Sequence, residues 1–340
     1  MSDTPLVTVV IPARNEATDI GACIEAVAAQ DYPASRMEVL VVDGMSEDDT
    51  AAIARRSLQG CAFGASEVLS SPDGATPSNL NVGLAHATGD VLCRVDARSR
   101  IEEHHIRTCV EVLQARGDVA VVGGAQVALA RDDSSRQIGI ARALNNPYLM
   151  GGALYRRATA SGPTDTVYMG CFRVGQLRDA GGWDTRMPTN QDFDLNRRMA
   201  AVGLVWFDDR LRSGYLPRTS LRLLWRQYVR FGRWKVRYWR TSGDRPLPRQ
   251  WALLAGPPTL LLTVVAVLML VEGSAWPVLL AALLGVGVVD AVGSPGRAPL
   301  PARLWSVAAS MVIAGGWWAG AALEALAGDR RGPVGRRHDG

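Results

Sequence analysis

Val91-Leu92-Cys93-Arg94-Val95-Asp96-Ala97-Arg98 is an apolar run that ends by delivering a carboxylate. Its length and branched side chains predict a buried strand, and open α/β sheets gather ligand chemistry beyond the carboxyl ends of their strands. Asp96 is therefore the first candidate site residue. Two positions on, where a second metal-binding acid is expected, the chain has Arg98.

Outward from this run, strands and helices alternate. Val7 to Ile11, closed by Pro12, reads as a strand buried on both faces; Ile20 to Ala29 reads as an amphipathic helix and Met37 to Val42 as the next strand. A helix over Asp49 to Ser57, a short strand over Glu67 to Leu69 and a helix over Ser78 to Ala87 lead into Val91 to Val95. A helix over Glu103 to Ala115 and a strand over Val119 to Val122 follow. The economical fold is α/β, a doubly wound and mostly parallel sheet flanked by helices. Residues 131–165, rich in Arg, Gly and Ser, show no clear period and read as a mobile excursion. Order returns at Asp165 to Arg173, then a helix over Val174 to Ala180, the turn Gly181-Gly182, and a helix beginning near Gln191.

With 340 residues and 48% hydrophobic content, the chain has room for one large domain and an apolar appendage. Thr219 to Arg240 interleaves Leu, Trp, Tyr and Phe with Arg222, Arg226, Arg230, Arg233, Lys235 and Arg237, the pattern of a helix lying in a membrane interface. Three apolar segments follow: Trp251 to Val271, Trp276 to Val292 and Leu304 to Ala327. The expected organisation is a catalytic domain over 1–218, a basic interfacial helix and linker over 219–250, a membrane region of two or three spans over 251–328, and a basic tail over 329–340. The arginines before the first apolar segment place the head on the cytoplasmic side of a multi-pass cell-membrane protein. Three spans, however, would put the tail arginines outside, against the same rule. No exported leader is expected at the front end.

A net charge of +4 without an RRM, KH or OB pattern excludes nucleic acid as the expected partner. Cys23, Cys61, Cys93, Cys109 and Cys171 lie far apart with no CxxC pair, so neither a zinc site nor a disulfide framework is expected. With no GxGxxG fingerprint, a dinucleotide oxidoreductase is excluded; with no GxxxxGK[ST], a glycine-rich phosphate cradle is too. A diphosphate must then be met by arginine and a hard divalent cation, which takes one or two carboxylates with phosphate oxygens and water. Asp96 is the candidate metal ligand, and Arg98, Arg230 and Arg233 the candidate phosphate partners.

Further candidates stand at two junctions. The exits of the first two strands, Pro12-Ala13-Arg14-Asn15-Glu16 and Asp43-Gly44-Met45-Ser46, share one sheet edge, so Glu16 and Asp43 can face one ligand. Gln191-Asp192 opens a helix, a position that favours the anion and predicts a lowered pKa for Asp192.

Several ordered motifs together resemble family 2 glycosyltransferases of the GT-A fold: Val7-x-Val9-Val10-Ile11-Pro12-x-x-Asn15-Glu16, Val41-Val42-Asp43-Gly44-x-Ser46-x-Asp48-x-Thr50, Leu80-Asn81-x-Gly83, Ala87-x-Gly89-Asp90, Arg94-Val95-Asp96-Ala97 and Asn190-Gln191-Asp192. The nearest resemblance is to succinoglycan-type exopolysaccharide transferases, in which Asp-Thr-Val, here Asp165 to Val167, precedes a Gly and an Arg, here Gly170 and Arg173. The resemblance covers about residues 6–240. It implies a nucleotide-sugar donor, a magnesium or manganese ion and inversion by direct displacement. Carried over, Pro12, Asn15, Glu16, Asp43, Arg94, Asp96 and Arg98 line the donor site, Asp96 holds the metal, and Asp192 is the catalytic base. Asp165, Gly170, Arg173, Gln191, Gln227, Arg230, Arg233 and Trp234 fall on the acceptor or diphosphate side. Gln227-x-x-Arg230-Phe231 has Phe where the family's motif has Trp, and Gln191 stands where Glu is usual.

The expected activity is transfer of a sugar to a hydroxyl of a lipid-linked or polysaccharide acceptor in cell-envelope or exopolysaccharide biosynthesis. Partners are then the donor, the acceptor, the membrane, and a second copy of the chain or an envelope-assembly protein. Two alternatives remain: a polyprenyl-phosphate glycosyltransferase, whose anionic acceptor needs no base, and a non-catalytic membrane-anchored subunit that binds sugar nucleotide.

Overall fold

The computed structural model describes residues 4–148, 160–243, 245–246, 285, 287–290, 292–294 and 296–327. It divides into two units, residues 1–127 with 154–216, and residues 128–153 with 217–340.

The first unit is built on one mixed sheet. Strands β1 (Val7–Ala13), β2 (Met37–Asp43), β3 (Ala65–Ser70) and β4 (Val91–Arg94) are mutually parallel in the order β3-β2-β1-β4. Beyond β4 the polarity reverses. β8 (Tyr168–Arg173) runs antiparallel to β4 and to β6 (Val119–Ala128), and the sheet continues through β9 (Leu204–Tyr215) to β5 (Ser99–Ile101), with β7 (Gly162–Pro163) also on β9.

Period-two alternation along the strands explains the layering. Val7, Val9 and Ile11 of β1, with Val39, Val41 and Cys93, join a core shared with α1 (Ile20–Ala28), α2 (Thr50–Gln59) and α4 (His105–Ala115). Val10, Val42 and Leu92 face a second core with α3 (Thr76–His86), α6 (Val174–Asp179) and α7 (Gln191–Met199). A strand covered on both faces needs no polar side, which is why β1 reads as a continuous apolar run. Gly83 lets α3 lie against β1: a Cβ there would overlap Val10. Glu38, buried, accepts from Thr8 Oγ1 (2.5 Å), Thr88 N and Thr88 Oγ1 (both 2.9 Å), satisfying a charge placed inside the sheet.

The stretch expected to be a mobile excursion, 131–165, contains a helix, α5 (Ser135–Leu144), which belongs to the second unit. Ser134 caps it by accepting from Gln137 N (3.3 Å), and Ile140, Ala143 and Leu144 are buried. Its period is hidden because Gln137 and Arg142 are buried as well. Gln137 donates to Thr219 O (2.9 Å), and Arg142 pairs with buried Asp290 (3.4 Å) and donates to Gly296 O (2.7 Å).

The second unit also holds α8 (Leu221–Ser242) and α9 (Leu300–Leu326). α9 is the one helix among the described residues long and apolar enough to cross a membrane. The two helices pack through glycine: a Cβ on Gly232 would overlap the Trp317 carbonyl, and one on Gly320 the Val229 carbonyl. Gly316 and Gly320 form the spacing that lets helix backbones approach closely. Glu324 of α9 receives Arg237 Nε at 2.5 Å and Nη2 at 3.1 Å. Of the expected membrane segments, Trp251 to Val271 and most of Trp276 to Val292 lie outside the described residues.

Candidate active site

Two loops at the carboxyl edge of the parallel strands are stitched together. Asn15, in the left-handed region (φ 54°), donates its N–H to Ser46 Oγ (2.9 Å) and accepts at Oδ1 from Glu47 N (2.8 Å). Glu16 N donates to Thr50 Oγ1 (2.8 Å) and Ala17 N to Asp48 Oδ2 (3.2 Å). The Ser-x-Asp-x-Thr pattern thus supplies acceptors for the neighbouring loop. Buried Asn79 adds a bridge, donating from Nδ2 to Ala13 O (3.4 Å) and Val42 O (3.3 Å) at the tips of β1 and β2.

Within this frame Asp43 Oδ2 accepts from Ser46 N (3.2 Å), while its Oδ1 is buried without a hydrogen-bond donor. Glu16 Oε1 lies 3.2 Å from Arg98 Nε. The Arg98 guanidinium sits over the Tyr215 ring, 5.4 Å from its centroid, and its Nη1 is buried without an acceptor. Burial disfavours the Arg98 charge, but Tyr215, Glu16 and Asp96 outweigh it and raise its pKa. Pro12 is buried at the end of β1.

Arg94, the last residue of β4, is buried and bridges two acids: Nε donates to Asp96 Oδ1 (2.7 Å) and Nη1 to Asp192 Oδ1. Burial works against its charge, but the two carboxylates hold its pKa above the ordinary value. Asp96 Oδ2 lies 3.4 Å from the Tyr168 hydroxyl, which is 2.7 Å from Ser99 Oγ. The structure therefore unites Arg94, Asp96 and Asp192, and sets Glu16 and Arg98 together at the neighbouring strand exit.

Asp192 is the second residue of α7, after Asn190 in the left-handed region (φ 66°). Its pKa is raised, opposite to the expectation from a helix N-terminus. Burial pushes it up; Arg94 acts against this, Asp96 adds to it, and the Trp183 indole, donating from 3.4 Å, acts against it. A nine-residue helix end exerts only a fraction of a unit charge, too little to reverse desolvation beside a second carboxylate. Asp192 is nonetheless accessible, with 40% of its side chain exposed.

Sequence reading missed the groups that position Asp192. Trp183 is buried edge-on against Phe172 (5.8 Å), and Asn81 grips its backbone, accepting from Trp183 N (2.9 Å) and donating to Trp183 O (2.7 Å). The signal was Asn81 in the Leu80-Asn81-x-Gly83 motif. Arg198 fixes the start of α7, pairing with Asp194 (2.8 Å) and donating to Ala180 O (2.6 Å) and Gly182 O (2.8 Å).

The remaining candidates are dispersed. Asp165 is half-buried beside Thr166, whose hydroxyl accepts from Asn196 of α7 (3.0 Å), and Gln191 precedes Asp192 at the start of α7. Gly170 packs inside β8 against Phe172 and Val121. Arg173 pairs in register with Val91, at the far end of β4 from Asp96, and donates to the carbonyls of Val119 (2.6 Å), Arg116 (3.1 Å) and Leu113. It closes the end of α4. Gln227, Arg230, Arg233 and Trp234 are on α8 in the second unit, where the last three line a groove with Arg226, Val229 and Arg237.

The donor chemistry fits a hard cation held by a single carboxylate. Asp96 offers oxygen, is partly open to solvent (28%), and has no second acid beside it at position 98.

This fold and cleft define a glycosyltransferase of the GT-A type. The chain belongs to glycosyl transferase family 2, whose model matches residues 8–178. Over 334 residues it is 30% identical to the succinoglycan biosynthesis protein ExoA of Rhizobium meliloti (strain 1021), covering 95% of this chain and 96% of that protein. It is 24% identical, over 66% of this chain and 71% of the relative, to a dolichyl N-acetyl-α-D-glucosaminyl phosphate 3-β-D-2,3-diacetamido-2,3-dideoxy-β-D-glucuronosyltransferase of Methanococcus voltae. Among solved structures, the mannosyltransferase PcManGT of Pyrobaculum calidifontis, in complex with GDP-Man and Mn2+, superposes with a TM-score of 0.66 at 22% identity, covering 96% of this chain and 89% of that one.

Proposed function

We propose that this chain is a membrane-associated inverting glycosyltransferase, moving a sugar from a nucleotide-sugar donor to a hydroxyl of a lipid-linked or polysaccharide acceptor in exopolysaccharide or cell-envelope biosynthesis. The observation that carries the donor is a pair of buried, unanswered groups at the strand exits. Asp43 Oδ1 is an acceptor fit for nucleoside N–H or hydroxyl groups, and Arg98 Nη1 is a cationic donor fit for phosphate. Left unmatched, each costs about 1–3 kcal/mol.

Asp192 is the base. As the acceptor oxygen bonds to the anomeric carbon, its proton passes to Asp192 and the bond from that carbon to the diphosphate breaks, leaving the nucleoside diphosphate. Attack from the face opposite the leaving group inverts the centre. The raised pKa suits this role, since a base nearer the operating pH accepts a proton more readily. Arg94 aims Asp192 and offsets the charge it shares the cleft with. Magnesium or manganese, held by Asp96, would supply positive charge to the leaving diphosphate. On this reading Gln191 adjoins the base, while Gly170 and Arg173 serve the sheet.

Membrane attachment is supported by the basic face of α8 and by exposed Leu304, Met311, Leu323 and Leu326 on α9. We place the catalytic unit on the cytoplasmic side of a multi-pass chain, where nucleotide sugars are made. The ExoA likeness, over nearly the whole length of both chains, supports exopolysaccharide as the product class.

Replacing Asp192 by Asn tests the mechanism: transfer falls by about a thousandfold or more while donor binding by calorimetry stays near wild type. Wild-type turnover in that variant ends the base assignment. The arginine-lined groove on α8 favours a second reading, an acceptor that is itself a polyprenyl phosphate. Membranes given labelled donor with either undecaprenyl phosphate or an oligosaccharide lipid separate the two.

A further inference from the structure

Behind the cleft, on the face of the sheet covered by α4, three of the five cysteines meet. Cys93 and Cys171 are register partners on antiparallel β4 and β8, with sulfurs 2.7 Å apart. Cys109 of α4 completes the group, and the three Sγ atoms all lie within 4.8 Å of one another. The expectation of five scattered thiols is thus corrected for these three: the antiparallel β4–β8 pairing closes a gap of 78 residues. All three are buried.

A fourth group stands beside the sulfurs. His105 lies one helical turn before Cys109, on the same face of α4. It is 1% exposed, and it faces the Cys109 thiol without belonging to the group of sulfurs itself. Its imidazole lies close enough to Cys109 to favour the thiolate against the opposing effect of burial. Burial still raises the Cys109 and Cys171 thiols, and only Cys93, hydrogen-bonded by those two, is held below its ordinary range.

We propose that Cys93, Cys109 and Cys171 hold one borderline-soft divalent metal ion in a buried structural site, zinc being the best match to three sulfurs, with His105 turning in from its contact with Cys109 as the fourth ligand. Three thiolates and one imidazole from a helix and two strands leave no open coordination position, the mark of a structural rather than a catalytic zinc. Zinc–sulfur bonds of about 2.3 Å separate tetrahedral sulfurs by about 3.8 Å, so the Cys93 and Cys171 sulfurs must part by about 1 Å. Binding requires the two side chains to turn about χ1 by that amount. Binding expels the thiol protons to solvent and moves no electrons. A Cys93–Cys171 disulfide would leave Cys109, which stands with them in one group, without a role. The ion would tie β4, β8 and α4 together one residue behind Arg94.

The test uses the full-length chain, purified in detergent without a metal-affinity tag and dialysed against EDTA. Elemental analysis is expected to find about one zinc per chain, released stoichiometrically by an organomercurial and absent from Cys109→Ser. Protein grown on cobalt should show the sulfur-to-cobalt charge-transfer absorption of a tetrahedral thiolate site, weakened in His105→Asn. The wild-type measurement stands even if a variant fails to fold. The proposal is overturned by a metal-free wild-type protein with every thiol titratable in denaturant, by zinc that persists in folded Cys109→Ser, or by a Cys93–Cys171 disulfide peptide in non-reducing digests.

Discussion

Arg94 and Asp192, 98 residues apart in sequence, are joined by a direct guanidinium–carboxylate hydrogen bond, and the same guanidinium holds Asp96 at 2.7 Å. One buried cation therefore serves two acids with different tasks. Replacing Arg94 by Met should lower turnover by about a hundredfold or more, since a misplaced base a single ångström away costs that much. Stability should fall by less than the roughly 3–5 kcal/mol of a fully buried pair, because Asp192 faces solvent and is partly screened. Steady-state kinetics and urea unfolding check both.

The raised pKa of Asp192 fixes the sign of its pH dependence. The base works ionised, so the acid limb of kcat/KM should lie above the ordinary aspartyl value of about 4, and higher still in Arg94→Met. For folding the sign is opposite. A carboxyl whose folded pKa is raised adds stability below the unfolded pKa, and that contribution is lost as pH rises through the folded value. Asp192→Asn should therefore lose the component of stability that falls with rising pH just above pH 4, read as the difference between wild-type and variant thermal unfolding across that range.

Trp183→Phe keeps a ring against Phe172 but removes the indole donor to Asp192. Turnover should fall by about tenfold, in line with the loss of one hydrogen bond of roughly 1.5 kcal/mol, and the acid limb should move upward. An unchanged limb would remove Trp183 from the account.

Arg98→Met should raise the donor KM by about tenfold or more, the value of a charge-assisted hydrogen bond. Arg98→Asp adds an acid where the chain has a cation beside Glu16 and Asp96. Its activity should saturate at lower manganese than wild type in a metal titration.

Gly320→Val places a side chain against the Val229 backbone between α8 and α9. Overpacking of this kind costs about 1–3 kcal/mol, more where backbone is struck, and should lower the thermal midpoint of detergent-solubilised protein. Ala319→Val, beside it in sequence, serves as the comparison.

The parallel half of the sheet was readable because each strand there is buried on both faces and each helix carries a regular apolar stripe. β5 and β9 were not read as strands. β5 has three residues, and the alternation of Val205, Phe207 and Leu211 in β9 is broken by Asp208, Asp209 and Arg210. α5 was hidden by a buried Gln and a buried Arg, whose partners lie far along the chain. At the candidate site, the motifs pointed to Glu16, Asp43, Asp96 and Asp192, and the structure brings Asp96 and Asp192 onto one guanidinium. The direction of the Asp192 pKa was not legible, since it depends on how much protein surrounds the carboxyl. Nor was the meeting of Cys93, Cys109 and Cys171, which sequence spacing does not encode.

The reversal of strand polarity between β4 and β8 has a consequence for exchange of parts. Glu16, Asp43 and Asp96 come from one uninterrupted stretch of chain ending near residue 98, with Tyr168 and Tyr215 as later supports, whereas Asp192 comes from beyond the reversal. On the proposed roles, a chimera joined at this seam would keep the nucleotide end of one enzyme and take the acceptor end of another. Arg94, which reaches across the seam, is the residue such a hybrid must preserve.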